Sequence, residues 1–223
     1  MNRVLLISLV SLLSLSSAIA DEFLKASSIQ GKVLFGNSYS KNWKETQTND
    51  LIKEFFEVAT AENGIACFQS SIGHTIALLP NSRMKFSFFN KKSEGKQEKY
   101  EALKIELIQG IVMAHAAVQR RIILLNTKFS LESMESRVFG ARLRKENKYS
   151  VGMLTESGTF SNVADANSEN SLTGRQYVNT SSLSKFTPKK MSFEVQKRLK
   201  SPLDVCLSPD AKKIFNRDDL KVG

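Results

Sequence analysis

The chain has little of the material from which most catalytic and metal sites are built, with two histidines and two cysteines among 223 residues. His74 and His115 each lack a second histidine or a cysteine at the spacing typical of a metal-ligand pair. His115 lies in an apolar run, where a packed imidazole is more common than a catalytic one. The histidines therefore give no ground for a metal site.

Motifs that mark common enzyme classes are also missing. No serine stands in a nucleophile-elbow pattern, and the isolated glycines Gly152 and Gly158 do not form a phosphate-binding loop. Cys67 has no cationic neighbour in the sequence that would activate its thiol. These absences predict a protein that is not an enzyme and needs no cofactor, and no catalytic or metal-binding residue is assigned.

The sequence lacks an uninterrupted apolar run of the roughly 18 residues needed to span a bilayer. Its most apolar stretch, residues 4–15, follows Arg3, is diluted by serines and precedes the small-residue site Ala18-Ile19-Ala20. A membrane anchor is the alternative, but this pattern is typical of a cleaved secretory signal. We therefore expect residues 1–20 to be a signal peptide cleaved after Ala20, no transmembrane segment after cleavage, and a periplasmic or secreted protein.

The two cysteines, Cys67 and Cys206, allow two interpretations. In an oxidising compartment they could form a disulfide that ties the C-terminal segment to an early strand. They could equally be two buried apolar thiols, because free cysteine is among the most buried residue types. Both interpretations stay open on the sequence.

Acidic residues are the minority, and the formal net charge is +10. Residues 185–200 contain one acidic residue, Glu194, and six cations, namely Lys185, Lys189, Lys190, Lys197, Arg198 and Lys200. Such a patch could contact lipid headgroups, an anionic cell-wall polymer or an acidic protein face. It could also be a solvated face that keeps the protein soluble. No nucleic-acid recognition module is visible, so we expect no nucleic-acid partner.

Short alternating apolar runs separated by Gly or Asn dominate residues 103–177. Alternation with a period of two places every second side chain on one face, as in a strand that is buried on one side. Many such strands at near-regular spacing predict an all-β fold, a twisted solenoid or sandwich-like stack of short strands. We expect this β domain to cover residues 27–180 and a basic, partly helical appendage to cover residues 181–223.

Several local features of the N-terminal half carry specific predictions. Residues 21–28 resemble a frayed lead-in, and residues 29–35 a first strand. Residues 51–59 fit a helix or a strand, of which we favour the strand. Asn63-Gly64 is a strong turn signal, which predicts a hairpin that joins this segment to residues 65–70.

The polar segments 91–100 and 161–171 are predicted to be surface loops. Residues 191–199 could form a short amphipathic helix, and Ser208-Pro209-Asp210 has the composition of a helix start.

A series of strand-and-turn motifs runs through about two thirds of the chain. The motifs are, in order, Ile29-Gln30-Gly31-Lys32-Val33, then residues 59–66, 76–82, 107–112, 138–140, 151–158 and 172–177. In order and spacing this series resembles the FecR-like domain, named for the ferric-citrate regulator of bacterial cell-surface signalling. The resemblance implies an all-β fold and a role in signalling or interaction at the bacterial envelope.

The resemblance also implies an expectation about the N-terminus. Full regulators of the family have a cytoplasmic segment that engages a sigma factor, followed by one membrane-spanning helix. Only Met1-Asn2-Arg3 precede the apolar run here, so we expect no sigma-factor-binding segment and no iron site.

Our hypothesis is an exported, non-enzymatic FecR-like module that binds a protein partner or ligand at the envelope through strand edges and loops. Envelope signalling is the process in which it would take part. The alternative is an envelope structural or adhesion protein whose basic segment holds anionic cell-wall polymer or lipid. The sequence does not identify the partner or the oligomeric state.

Overall fold

The computed structural model describes residues 22–37, 42–91, 100–125, 129–143, 148–162, 165–179 and 187–208. These residues form seventeen strands and one helix. The bounds are β1 Phe23–Gln30, β2 Val33–Gly36, β3 Trp43–Glu45, β4 Leu51–Lys53, β5 Glu57–Thr60, β6 Ile65–Ser70, β7 Thr75–Leu78, β8 Arg83–Lys91, β9 Tyr100–His115, β10 Arg121–Leu125, β11 Phe129–Met134, β12 Arg137–Leu143, β13 Lys148–Met153, β14 Ser157–Asn162, β15 Asp165–Thr173, β16 Gln176–Asn179, β17 Lys189–Lys190 and α1 Phe193–Leu207. The predicted all-β fold with a short helical C-terminal appendage is confirmed.

The strands form one open, mixed sheet that is divided into two leaves joined by β9. The helix-side leaf has the order β4-β1-β6-β7-β9-β12-β13-β16-β17. The open leaf has the order β3-β2-β5-β8-β9-β10-β11-β14-β15. All of these pairs are antiparallel except β9 with β10.

The long strand β9 belongs to both leaves. Its first part, up to Gln109, pairs with β8 and β10, and its second part pairs with β12 and β7. Gly110 lies between the two parts and has a φ of +83°. A left-handed residue bends the strand at this point, which lets one strand serve two leaves.

Side-chain alternation sorts the helix-side leaf into two faces. One face, with Phe68, Ile76 and Val112, joins side chains of the open leaf in the main core. The opposite face, with Ala77 and Met113, packs under α1 in a second cluster that includes Leu199 and Leu203. The molecule therefore has three layers, which are the open leaf, the helix-side leaf and the helix.

The hairpin predicted at Asn63-Gly64 is wrong. β5 pairs with β2 and β8 in the open leaf, whereas β6 pairs with β1 and β7 in the helix-side leaf. A two-residue hairpin of the type that Asn-Gly favours needs positive φ at both positions. Neither Asn63 nor Gly64 has it. The turn instead carries the chain from one leaf to the other.

Three other local predictions need correction. The expected lead-in at residues 21–28 is mostly strand, because β1 spans Phe23–Gln30 and Gly31 separates it from β2. The strand favoured at residues 51–59 is right in kind but is two strands, β4 and β5, with a turn between them. The predicted loop at residues 161–171 is wrong, since β14 and β15 pair there.

The C-terminal helix is longer than predicted. It begins after Ser192, whose hydroxyl accepts a hydrogen bond from the Val195 N–H at 3.3 Å, and it ends at Leu207. Ser208 caps the end of this helix, and the second helix predicted to start at Ser208-Pro209-Asp210 would lie outside the described residues. The predicted signal peptide, most of the predicted loop at residues 91–100 and the residues after 208 lie outside the described residues.

Candidate binding surface on the C-terminal helix

The helix α1 is fastened to the sheet by a disulfide between Cys67 of β6 and Cys206. The two Cα atoms are 5.4 Å apart, and both cysteines are buried. Leu199 and Leu203 pack in the same apolar cluster. The covalent bond and this packing give the outward-facing side chains of α1 a fixed position on the domain.

Five cationic side chains lie on β17 and α1, between residues 189 and 200. Lys189 and Lys190 of β17 are exposed, as are Lys197 and Arg198 of α1, and Lys200 is half-buried. We call these five residues the basic face. Lys185, the sixth cation of the sequence prediction, lies outside the described residues.

The two acidic side chains of α1 only partly offset this charge. Glu194 is exposed in the first turn, where a carboxylate is favoured by the positive end of the helix dipole. Asp204 forms an ion pair with Arg137 of β12. The net charge of β17 and α1 together is therefore positive.

A groove of about 710 Å³ runs along α1. One wall is the helix, and the turn between β15 and β16 contributes Arg175 to the other. The side chains that matter for its chemistry are Arg175, Phe193, Lys197, Lys200, Asp204 and Val205. The groove therefore combines three cations with apolar side chains near both ends of the helix.

Arg175 is held in place by its backbone. Its φ is +69°, in the left-handed region that costs an ordinary residue about 1–2 kcal/mol. Its N–H donates to the Met153 carbonyl at 2.9 Å, and its carbonyl accepts from the Met191 N–H at 2.8 Å. Residues in such conformations cluster at functional sites. The exposed side chain of Arg175 therefore starts from a fixed position at the groove.

Two apolar side chains at the start of α1 face solvent. Phe193 is 73% exposed and Val195 is 46% exposed. Aromatic side chains and arginine are enriched in protein interfaces relative to the rest of the surface. An exposed phenylalanine beside lysines has the composition of a contact surface.

The two histidines lie in surroundings that lower the pKa of each imidazole. His74 is fully buried, and its Nδ1 accepts a hydrogen bond from the Ala117 N–H at 2.9 Å. Burial, followed by the charge of Arg120, lowers its pKa to about 4. Burial also lowers the pKa of His115. Within the described ranges, no three His, Cys, Asp or Glu side chains are arranged to hold a metal ion.

A second groove, of about 510 Å³, lies beside β11 and β14 and is lined by Arg121, Glu132, Glu135 and Glu156 among others. Arg121 and Glu132 form an ion pair, and Glu135 accepts a hydrogen bond from the Gln119 N–H at 2.8 Å. Two of its three carboxylates are therefore engaged within the chain, which makes this groove the weaker candidate.

The sequence prediction identified the lysines of the surface but missed Arg175 and Phe193. In the sequence, residues 172–177 are the last of the strand-and-turn motifs, and the structure places the turn between β15 and β16 at Gly174-Arg175. The Gly-Arg pair between two polar strands was the available signal. The approach of α1 to this turn depends on tertiary packing. The alternation of apolar and polar residues along the sequence does not encode it.

No helix in the described part of the chain is long and apolar enough to cross a membrane. No protein-family model matches the chain, and no curated protein matches it.

Two crystal structures from Parabacteroides distasonis ATCC 8503, each described as a "putative anti-sigma factor", are similar to this chain. For each the TM-score is 0.46 and the sequence identity is 11%. The similarity covers 61% of this chain and 60% of the other, so this chain spans less than two thirds of those proteins. The case for a function therefore depends on the surface of α1 and its surroundings.

Proposed function

We propose that this chain is an exported, non-enzymatic FecR-like module that binds an acidic protein partner at the bacterial envelope and takes part in envelope signalling. One observation carries the proposal: three cations of the basic face share with the exposed Phe193 a helix that the buried disulfide of Cys67 and Cys206 fixes, and the other two, Lys189 and Lys190, precede that helix on β17. The segments 91–100 and 161–171 are not needed for this contact.

The physical argument is one of charge and preorganisation. A surface of one sign raises the rate of encounter with a partner of the opposite sign. A helix that is already in place loses little conformational entropy when the partner binds, so more of the interaction energy appears as affinity. The exposed aromatic side chain would supply apolar contact at the same place.

The test compares charge removal on the basic face with the same removal elsewhere. Mature protein, residues 21–223, is immobilised and exposed to the envelope fraction of its own bacterium. In one variant Lys189, Lys190 and Lys197 are each replaced by glutamine. We expect this triple variant to retain less than about one tenth of the partner bound by the unmodified protein, because several charge contacts are lost.

The matched control replaces three exposed lysines far from α1 in the sequence, Lys25, Lys32 and Lys44, by glutamine. The net charge is then equal in the two variants. We expect the control to bind as the unmodified protein does. Equal loss in both variants would show that binding follows net charge alone and would contradict the proposal.

Anionic cell-wall polymer or lipid is the second candidate partner. It is favoured by Lys189 and Lys190, which stand on the edge strand β17 and do not line the groove. Protein-free cell-wall sacculi and phosphatidylglycerol vesicles separate the two candidates. Strong binding of the protein to sacculi or vesicles that is lost as salt screens the charges would favour the polymer or lipid. Weak binding to both, together with undiminished capture of an envelope protein, would favour the acidic protein.

A further inference from the structure

The groove along α1 has the dimensions of an extended peptide site. The helix has 15 residues, which at about 1.5 Å per residue gives a length of about 22 Å. An extended chain rises about 3.3 Å per residue. The groove can therefore hold a segment of about six or seven residues.

The charges that line the groove favour carboxylates. Arg175, Lys197 and Lys200 line it, and the carboxylate of Asp204 is already paired with Arg137. The guanidinium of arginine is planar and binds a carboxylate through two parallel hydrogen bonds, which a lysine ammonium cannot do. Because the backbone of Arg175 is held by hydrogen bonds on both sides, its position is set before any ligand arrives.

Apolar side chains at the groove distinguish a peptide from a polyanion. Phe193 lies near one end of the groove and Val205 near the other. A chain of phosphates would use the cations and leave both apolar side chains without a contact. A peptide that carries an aliphatic or aromatic residue among its acids would use both kinds of groove side chain.

We infer that the groove between α1 and Arg175 binds an extended acidic peptide segment of the partner, with an apolar residue of that segment against Phe193. This inference rests on the proposed function and adds to it the chemical class of the bound segment and the residue that recognises its carboxylates.

The probe is a fluorescein-labelled heptapeptide of five glutamates and two leucines, measured by fluorescence anisotropy with the mature, disulfide-bonded protein. Arg175→Asn removes the charge but keeps a residue that tolerates left-handed φ. Lys200→Gln removes a second groove cation. Lys44→Gln removes the charge of an exposed lysine on β3, outside both the groove and the basic face, and is the matched control.

We expect Arg175→Asn and Lys200→Gln each to weaken binding by about tenfold, the effect of losing one charged hydrogen-bonding partner, and Lys44→Gln by less than about twofold. Phe193→Ser should weaken the leucine-containing peptide and leave an all-glutamate peptide unchanged. The melting temperatures of the variants show whether each one is folded.

Two outcomes would overturn the inference. One is equal weakening by Lys44→Gln and Arg175→Asn, which would show that peptide binding follows net charge and not the groove. The other is no peptide binding even at about 50 mM salt, where charge screening is weak. Neither outcome bears on the proposed function. That function is tested by the amount of envelope partner that the triple variant of Lys189, Lys190 and Lys197 captures.

Discussion

Gly110 lies in close contact with Ser82 at the point where β9 passes from one leaf to the other. A Cβ atom placed on Gly110 would lie 2.5 Å from the Cα of Ser82 and closer still to its Oγ. The Ser82 Oγ accepts a hydrogen bond from the Ile111 N–H at 2.8 Å. The two residues thus fix the bend that lets one strand belong to two leaves.

Gly110→Ala should destabilise the protein by about 3 kcal/mol or more, because left-handed strain and overpacking against Ser82 add together. Urea unfolding of the disulfide-bonded protein measures the change. Gly73→Ala is the matched control, since Gly73 has a φ of +88° but its added Cβ would lie 3.4 Å from the Ala117 Cβ, an ordinary contact. We expect it to cost about 1 kcal/mol. Equal costs for the two variants would show that Ser82 has no part in the bend.

Phe55→Asn should stabilise the protein by about 1 kcal/mol. Phe55 is 70% exposed in the turn between β4 and β5, with a φ of +66°. Two other left-handed positions of the chain, Asn49 and Asn81, already carry asparagine. The backbone hydrogen bond from the Phe55 N–H to the Phe86 carbonyl at 3.2 Å is kept. Thermal unfolding should give a higher melting temperature; a lower one would mean that Phe55 contributes packing that outweighs its strain.

His74 should make stability depend on pH. Its pKa is about 4 in the folded protein against an ordinary value of 6.5. Above pH 6.5 it is neutral in both states, but between pH 6.5 and about 4 the unfolded chain binds a proton that the folded protein excludes. Stability should therefore fall by about 3 kcal/mol as the pH is lowered through this window.

His74→Asn isolates this contribution, because the amide oxygen of asparagine stands at the position of Nδ1, can accept the hydrogen bond of the Ala117 N–H, and does not titrate. Urea unfolding at pH 7 and pH 4.5 should show a smaller loss of stability in this variant than in the unmodified protein. His115→Gln, at a half-buried site, should change the loss less. An identical pH dependence with and without His74 would contradict the account.

Replacement of both Cys67 and Cys206 by alanine should lower the free energy of unfolding by about 2–5 kcal/mol. The bond closes a loop with a sequence separation of 139 residues, so its removal frees a large part of the unfolded chain. Amide hydrogen exchange should show that α1 loses protection before the main core does. Full protection of α1 in the variant would mean that Leu199, Leu203 and their neighbours hold the helix without the bond.

The sequence predicted the strands because alternation is a local property, visible in runs such as residues 103–107. It did not predict the leaf to which a strand belongs. Asn63-Gly64 has the composition of a hairpin turn, but its backbone lacks the positive φ values that a hairpin needs, and it connects two leaves instead. The polar composition of residues 161–171 suggested a loop, yet β15 is paired with β14.

The candidate site was predictable to the extent that it depends on composition. The lysines between residues 185 and 200 were visible as a charge cluster. Arg175 was not, because its importance comes from a left-handed turn and from the approach of α1 to that turn. Both follow from tertiary packing, in which Met191 hydrogen-bonds back to Arg175.

The central claim, that the basic face is the surface on which an envelope partner binds, is tested most directly by photo-crosslinking in living cells. p-Benzoylphenylalanine is placed at position 197 on α1 and, as a control, at position 44 on the edge strand β3, where the native lysine is also exposed. The account predicts a discrete covalent adduct with an envelope protein from position 197 and none from position 44. No adduct from position 197, or the same adduct from both positions, would contradict it.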